Sequence, residues 1–156
     1  MKIKLILTGK TEEGYIKEGT TRYIKRIQHY ISIEIIEIPF KHTKNLRPDA
    51  YKATESKAIE EHLTITDFLV LLDEKGKSFG SIEFANWIQG RINSNIKRLT
   101  FVIGGPFGFS DEIKAKAQLQ LSLSKMTFSH QMIRLFFLEQ LYRAFTILKN
   151  EPYHNS

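Results

Sequence analysis

The sequence predicts an α/β domain in which a mostly parallel β-sheet carries helices on both faces. Short apolar runs alternate with helix signals about five times along the 156 residues. Two of these runs, residues 68–72 and 101–103, are continuously apolar, as expected for strands that are covered on both faces. No internal repeat, low-complexity tract or break in composition divides the chain, so a single domain over residues 1–156 is expected.

The chain opens with a predicted strand and helix. Residues 2–7 form a short apolar run, and Gly9 marks its end. Between residues 15 and 30, aromatic and aliphatic side chains recur at spacings that fit one face of a helix. The cations Lys17 and Arg22 lie largely on the remaining surface of that helix, and we interpret them as part of a solvated face.

A second strand, a loop and a second helix follow. Residues 31–38 are rich in β-branched side chains and stop at Pro39, which predicts a strand. Residues 40–48 contain several basic side chains without a clear period, which indicates a basic loop. That loop fits either a clamp on RNA phosphates or an ordinary polar connection. Residues 49–63 carry the next helix signal.

A buried strand is predicted at residues 68–72, and residues 73–80 are expected to form the turn after it. This turn contains Gly-Lys-Ser, which ends the phosphate-binding P-loop pattern. The P-loop interpretation fails because Leu71 stands where the pattern requires its first glycine. Residues 81–92 predict a helix with an apolar stripe, on which Trp87 is interpreted as a packing residue.

The turn after residues 101–103 is the most informative one in the chain. The apolar run ends at Gly104 and Gly105, and the next helix signal begins at Ser110, a typical N-cap residue. Two adjacent glycines at the end of a strand allow positive φ values and let a ligand lie against the backbone. On spacing alone, a plain tight turn explains the glycines equally well.

A short strand at residues 121–123 precedes a long helix between residues 131 and 150. Apolar side chains surround this helix almost completely, which predicts burial against its own sheet and against a second subunit. Arg134 projects from the apolar side and needs a partner, so it is interpreted as an interface salt-bridge residue or a site residue. Glu139 and Arg143 have the spacing and order that stabilise a helix.

Composition limits the functions open to the chain. It contains no cysteine, which excludes a disulfide framework, a thiolate metal site and a thiol nucleophile. No apolar window has the length of a membrane span or signal peptide, so we expect a cytoplasmic protein that contacts no membrane. No zinc-binding pattern is present, and no metal is expected. The formal charge of +6 favours a polyanionic partner such as nucleic acid.

Four segments carry a resemblance to a known family. They are Phe-Val-Ile-Gly-Gly-Pro-Phe-Gly at residues 101–108, Leu-Ser-Lys-Met-Thr-Phe-Ser-His-Gln-Met-Ile-Arg at residues 123–134, Glu-Gln-Leu-Tyr-Arg-Ala at residues 139–144 and Pro-Tyr-His at residues 152–154. In this order they resemble the RlmH family, the ribosomal large-subunit pseudouridine N3-methyltransferases of the SPOUT superfamily. The resemblance spans essentially the full length. It implies a C-terminal trefoil knot, a homodimer, S-adenosylmethionine as the methyl donor, and ribosomal RNA in the large subunit or assembled ribosome as the substrate.

The resemblance also implies where the methyl donor binds. The positions that match the family's donor site are Leu72, Gly104, Leu123, Ser124, Lys125, Met126, Thr127 and Phe128. All three segments lie at predicted carboxyl ends of strands. There, backbone groups can read the edge of an adenine and apolar side chains can enclose its ring.

Five residues are candidates for handling the target base: His130, Arg134, Arg143, Tyr153 and His154. The nitrogen at position 3 of pseudouridine carries a proton that must leave before or during methyl transfer, so a nearby base or cation would help. The resemblance implies that the C-terminal tail reaches the partner subunit's pocket. We assign target positioning and proton handling to Tyr153 and His154, and contact with RNA or another anion to Arg143 or Arg134.

Two other functions fit the sequence. The first is a non-catalytic basic protein that binds RNA or assists ribosome assembly and keeps the same fold. The second is an enzyme of another α/β type that binds a small nucleotide. Donor binding separates these alternatives, because an assembly protein need not bind S-adenosylmethionine and a nucleotide enzyme should prefer a phosphorylated ligand.

Overall fold

Five strands and five helices alternate along the part of the chain that the computed structural model describes, residues 1–40 and 45–155. The strands are β1 (Lys2–Thr8), β2 (Ile33–Ile38), β3 (Asp67–Ser78), β4 (Arg98–Ile103) and β5 (Leu119–Ser122). The helices are α1 (Gly14–Ile27), α2 (Pro48–Glu60), α3 (Ser81–Asn93), α4 (Asp111–Lys116) and α5 (Met132–Leu148). All five strands pair in parallel in the order β2-β1-β4-β3-β5, which confirms the predicted α/β class.

Side chains of the central strands alternate between two packed layers. Ile3, Leu5 and Leu7 of β1 pack on the face of the sheet that α1, α3 and α5 cover. Ile6 packs on the opposite face, which α2 and α4 cover. Because successive strand residues point to opposite faces, a strand between two helix layers needs apolar side chains at nearly every position. The continuous apolar runs of the sequence thus reflect helices on both faces, as predicted.

One charged side chain interrupts the apolar pattern of β1. Lys4 is buried, and its ammonium group donates hydrogen bonds to the His62 carbonyl and to Asp67 Oδ2, the latter at 3.2 Å. A buried charge is costly unless it is paired. These contacts satisfy Lys4 near the amino end of the sheet, on the side opposite to the strand ends where a ligand site is expected.

Helix α5 packs against both α1 and α3 as well as the sheet. Its Phe137 ring is fully buried and lies 4.8 Å from the Phe101 ring of β4, measured between centroids. On the α1 side, a Cβ atom added to Gly19 would come within 2.6 Å of Leu135 Cδ1, so the two helices meet closely there. Helices α1 and α3 and the sheet of the same chain therefore cover much of the apolar surface of α5. The sequence predicted that a second subunit would cover part of it.

The sequence prediction is wrong about the end of β3. The strand does not stop at residue 72 but continues to Ser78, where the predicted turn should have been. After an irregularity between Leu72 and Lys77, β3 resumes pairing with β5. A Cβ atom on Gly76 would lie 2.5 Å from the Gln120 carbonyl, so a glycine permits this close approach of two backbones. The Gly-Lys-Ser sequence therefore lies in a strand and not in the predicted turn.

The remaining elements match their predictions within a few residues. Strand β2 begins at Ile33, two residues later than predicted, and β5 begins and ends earlier than residues 121–123. Ser110 caps α4, and its Oγ accepts a hydrogen bond from the Ile113 amide at 3.4 Å. Part of the predicted basic loop, residues 41–44, lies outside the described residues, and α2 begins at Pro48. The C-terminal trefoil knot stays a prediction.

We expect Phe137→Ala to lower the free energy of unfolding by about 3–5 kcal/mol, because it leaves a large cavity between α5 and the sheet. Denaturant-induced unfolding measures this loss. Tyr15→Ala is the control, since the Tyr15 side chain is 61% exposed. Its effect should stay within about 0.5 kcal/mol. Similar losses in the two variants would contradict the position of Phe137 in the core.

Candidate active site

A cavity of about 320 Å³ opens at the carboxyl ends of β4 and β5 and beside residues 72–75 of β3, just past the part of β3 that pairs with β4. Most of the expected donor-site residues line it, namely Leu72, Gly104, Leu123, Ser124, Met126, Thr127 and Phe128. Of the eight expected residues, Lys125 is the one that is not among the lining side chains. Three segments that are distant in the sequence thus form one cavity, because parallel strands end at the same edge of the sheet.

The glycine turn forms one wall of the cavity through Gly104 and Gly105. Neither residue has a positive φ, so the expectation from the sequence is wrong on this point, and the positive φ of 75° occurs at Gly108. The glycines are instead required by close packing behind the turn. A Cβ atom on Gly104 would lie 2.8 Å from Phe109 Cε1, and one on Gly105 would lie 2.5 Å from the Tyr51 hydroxyl.

Tyr51 and Glu55 of α2 support the turn from behind. The Tyr51 ring packs edge-on against Phe107, with centroids 5.1 Å apart. Burial, together with the charge of Glu55 and a hydrogen bond to it, raises the pKa of the Tyr51 phenol to about 12. Glu55 is itself buried and accepts hydrogen bonds from the Thr8 hydroxyl and the Gly105 amide. These two side chains fix the position of the turn relative to the sheet.

The opposite wall is the segment between β5 and α5, and it is fastened to β3. The Thr127 hydroxyl donates a hydrogen bond to Glu74 Oε2 at 2.6 Å. Within the segment, the Met126 amide donates to Ser124 Oγ at 2.9 Å. At the rim, Lys114 pairs with Asp73 at 3.5 Å, so the mouth of the cavity carries charges of both signs.

His130 and Arg134 lie at the start of α5 but occupy different environments. His130 lines the cavity. Arg134 is fully buried, and its guanidinium donates hydrogen bonds to the His130 carbonyl, to the Thr8 carbonyl and to Thr11 Oγ1, at 2.9–3.1 Å. Burial lowers the pKa of Arg134, while Glu37 and Glu12 act in the opposite direction. Because the side chain is fully buried and each of its three nitrogens donates to a group of the same chain, Arg134 does not reach a surface where RNA or a partner subunit could lie. It ties α5 to the end of β1.

The C-terminal tail packs on α5 and α1 in a group that we call the C-terminal cluster: Tyr23, Glu139, Arg143, Tyr153 and His154. The Tyr153 hydroxyl donates to Glu139 Oε1 at 3.0 Å and lies 3.3 Å from the Tyr23 hydroxyl. Arg143 pairs with Glu139, stacks over the Tyr153 ring and approaches His154 Nδ1 at 3.4 Å. The predicted pairing of Glu139 with Arg143 is therefore confirmed, and it belongs to a larger polar network.

The C-terminal cluster alters the protonation of two of the candidate residues. Burial and the hydrogen bonds with Tyr23 and Glu139 raise the pKa of Tyr153 above its ordinary value. The hydrogen bond to Glu139 raises the pKa of Arg143, so this guanidinium stays charged. Tyr153 is correspondingly a neutral phenol at neutral pH, suited to donating a hydrogen bond rather than to accepting a proton.

The cavity and the C-terminal cluster lie at different ends of α5. Helix α5 has 17 residues. At the usual rise per residue it spans about 25 Å. His130 precedes the first turn of the helix, whereas Tyr153 and His154 follow its last turn. None of Arg143, Tyr153 and His154 lines the cavity of its own chain. The structure thus brings together most of the predicted donor site, but of the five candidate catalytic residues only His130 lines the cavity.

Sequence reasoning missed Glu55, although a local signal was present. Tyr51, Glu55 and Ile59 are spaced four residues apart, and all three are buried on α2. An acidic residue between two apolar residues at helical spacing indicates a carboxyl group that faces the interior. Such a group needs a buried hydrogen-bond donor, and here one of its donors is the backbone of the glycine turn.

The fold and the cavity define a class of protein: a parallel α/β domain with a cavity at the edge of the sheet where open α/β sheets bind ligands. Among residues 1–40 and 45–155, no group of three or more His, Cys, Asp or Glu side chains is arranged to hold a metal ion. No helix in the same ranges is long and apolar enough to cross a membrane.

Comparison with known proteins identifies the family. Residues 1–154 match the family model described as "Predicted SPOUT methyltransferase". The chain belongs to the SPOUT methyltransferase family. It is 54% identical over 156 residues to the ribosomal RNA large subunit methyltransferase H of Christiangramia forsetii, with 99% of each chain covered. The proteins of the same name from Flavobacterium johnsoniae and Cytophaga hutchinsonii are 52% and 51% identical, and 99% or more of each chain is again covered.

We expect Arg134→Met to lower the free energy of unfolding by about 2–4 kcal/mol, because it leaves buried carbonyl groups without their donor. Chemical denaturation measures the change. Arg22→Met is the matched control, since the Arg22 side chain is 62% exposed and pairs with Glu18 on the surface of α1. That exposed pair should contribute less than about 1 kcal/mol. A small loss in Arg134→Met would contradict the buried network at the end of β1.

Proposed function

We propose that this protein is an S-adenosylmethionine-dependent methyltransferase that modifies N3 of a pseudouridine in 23S ribosomal RNA, acting as a homodimer on the ribosome. The observation that carries the proposal is the cavity at the strand ends, which most of the residues matching the family's donor site line together. Membership of the SPOUT methyltransferase family and the names of the similar proteins support the same activity.

The cavity fits the methyl donor in size and chemistry. Its walls combine apolar side chains, including Leu72, Leu123 and Phe128, with the exposed backbone of Gly104. Apolar walls suit the faces of an adenine ring, and backbone groups suit its polar edge. Asp73 and Glu74 supply carboxyl oxygens at the same cavity, which can accept hydrogen bonds from ribose hydroxyls. When bound, the donor supplies an activated methyl group on a sulfonium, so the protein mainly has to orient the reactants.

A homodimer would complete the site. The cavity of one chain contains His130 but not Arg143, Tyr153 or His154, which lie toward the far end of α5. A second copy packed against α5 could place its own C-terminal cluster at the mouth of this cavity. Phe128 and Phe136 support such packing, because their rings contact each other at 4.9 Å while each side chain remains more than a third exposed.

We assign the role of accepting the proton of the target base to a histidine. Arg143 stays charged, and Tyr153 stays a neutral phenol because its pKa is raised. Neither is therefore suited to accept a proton near neutral pH. His154, held beside Arg143, is the proposed acceptor, and His130 on the cavity wall is the second candidate. Arg143 and Tyr153 then orient the base and stabilise negative charge that develops on its ring.

Recognition of ribosomal RNA is assigned to the basic surface around the cavity. Lys52 and Lys75 lie among its lining residues, and the chain as a whole carries a formal charge of +6. Such groups contact phosphates and hold the substrate without reading its sequence. We propose that residues 1–156 act as a single domain in the cytoplasm, where the ribosome supplies the remaining recognition surface.

The direct test is binding followed by transfer. We expect the purified protein to give saturable heat with S-adenosylmethionine and none with ATP in calorimetric titrations. It should also transfer a radiolabelled methyl group to ribosomes that lack the modification, but not to ribosomes that already carry it. A protein that binds ATP alone, or binds the donor without methylating unmodified large subunits or ribosomes, would contradict the proposal.

A second prediction concerns the tail. We expect removal of residues 153–156 to lower the methylation rate by about 100-fold or more, because proton transfer and base orientation are lost. Donor affinity and the dimer, measured by calorimetry and sedimentation, should stay nearly unchanged. Removal of residues 155–156 alone is the control and should leave the rate nearly intact. Full activity without Tyr153 and His154 would remove the tail from the mechanism.

A further inference from the structure

A buried carboxyl group lies directly behind the glycine turn. Glu55 is 1% exposed. Its Oε2 accepts a hydrogen bond from the Thr8 hydroxyl at 3.0 Å and one from the Gly105 amide at 3.0 Å, and its Oε1 lies 3.2 Å from the same amide. A carboxyl group buried to this extent is costly unless its oxygens are bonded. One of the groups that satisfy Glu55 is therefore the backbone of the cavity wall.

This hydrogen bond also fixes the direction of a carbonyl group. In a trans peptide unit, the C=O of one residue and the N–H of the next point in opposite directions. The described residues contain no cis peptide bond. Gly104 and Gly105 line the cavity and Glu55 does not, so the turn lies between Glu55 and the cavity. Since the Gly105 N–H points toward Glu55, the Gly104 carbonyl points away from the Glu55 carboxyl group.

We propose that Glu55 is a positioning residue that presents the Gly104 carbonyl as a hydrogen-bond acceptor to the bound methyl donor. The inference rests on the proposed function, in which this cavity takes S-adenosylmethionine. That molecule offers N–H donors on its adenine and on its ammonium group, and a fixed acceptor binds such a donor without a cost for reorientation. Glu55 acts through the backbone and does not touch the ligand.

The space behind the turn is filled, which holds the turn against Glu55. A Cβ atom on Gly105 would lie 2.5 Å from the Tyr51 hydroxyl and 2.6 Å from Glu55 Oε2. On Gly104 it would lie 3.0 Å from Glu55 Oε1. A side chain at either position would therefore push against Phe109, Tyr51 or Glu55 rather than enter the cavity. The glycine pair therefore serves close packing onto α2.

Hydrogen bonds connect Glu55 to the opposite wall of the cavity through β1. Glu55 accepts from the hydroxyl of Thr8, and the carbonyl of Thr8 accepts from Arg134 at 2.9 Å. Arg134 in turn donates to the His130 carbonyl at 3.1 Å. The end of β1 thus serves as a common support for the glycine turn and for the segment that carries His130. This places Glu55 at one end of a continuous buried network beneath the cavity.

The experiment compares Glu55→Gln, Glu55→Asp and Glu55→Ala. Gln keeps the length and one acceptor oxygen, whereas Asp keeps the charge but is one methylene too short to reach the Gly105 amide. We expect Kd for S-adenosylmethionine to rise about tenfold in Glu55→Ala, to rise less than about threefold in Glu55→Gln, and to rise more in Glu55→Asp than in Glu55→Gln. At saturating donor, kcat should stay within about twofold of the wild type, so the defect appears in KM.

Glu60→Ala is the matched control on the same helix. The Glu60 side chain is 35% exposed and pairs with Lys116 at 2.9 Å, away from the glycine turn. This variant should leave Kd, KM and kcat unchanged. A second measurement needs no ligand: hydrogen exchange of the Gly105 amide should be slow in the wild type and about tenfold or more faster in Glu55→Ala.

Donor affinity in Glu55→Ala within twofold of the wild type, or affinity in Glu55→Asp equal to or better than in Glu55→Gln, would overturn the positioning role. Rapid exchange of the wild-type Gly105 amide would overturn it as well. If Glu55→Ala does not fold, the comparison of Gln with Asp decides. A wild-type protein that does not bind S-adenosylmethionine would refute the proposed function instead. In that case the exchange measurement still tests whether Glu55 holds the turn.

Discussion

The parallel pairing of β1, β3 and β4 is the constraint on which the site depends. Leu7 of β1 pairs with Ile103 of β4, and Leu71 of β3 pairs with Val102, so the three strands run side by side toward one edge, and β3 continues past it to Ser78. Parallel strands require a crossover between each pair, and the crossover helices cover both faces of the sheet. The cavity forms where the chain leaves these strands. Its position follows from strand direction and not from any single binding motif.

Buried polar groups behind the cavity hold its walls in place. Glu55 fixes the glycine turn, and Arg134 fixes the start of α5. Both side chains are almost completely shielded from solvent. Glu55 accepts a hydrogen bond from the backbone of the glycine turn, and Arg134 donates hydrogen bonds to the carbonyls of His130 and Thr8. Buried bonds of this kind are costly to leave unmade, so they restrict the loops more strongly than exposed contacts would. The site is thus preorganised by residues that no ligand would touch.

The features of the fold that depend on neighbouring residues could be predicted from the sequence. Apolar runs located the five strands, and Ser110 located the start of α4, because strand burial and helix capping depend on neighbouring residues. The continuation of β3 past Leu72 could not be predicted, since it depends on Gly76 meeting the backbone of Gln120 across the sheet. The donor-site residues came from family resemblance, and their common cavity required the tertiary arrangement of three distant segments. The spacing of residues in the sequence could not predict the environment of Arg134, because two of its three partners, Thr8 and Thr11, precede it by more than 120 residues.

Helix α5 sets both the distance and the angle between the cavity and the C-terminal cluster of one chain. It runs without a break from Met132, next to the cavity wall, to Leu148, just before the tail. Insertion of one residue into such a helix moves everything beyond it by about 1.5 Å and rotates it by about 100°. The C-terminal cluster would then face a different direction relative to the cavity, even if every contact within the cluster survived. The length of α5 is therefore constrained independently of the side chains that it carries.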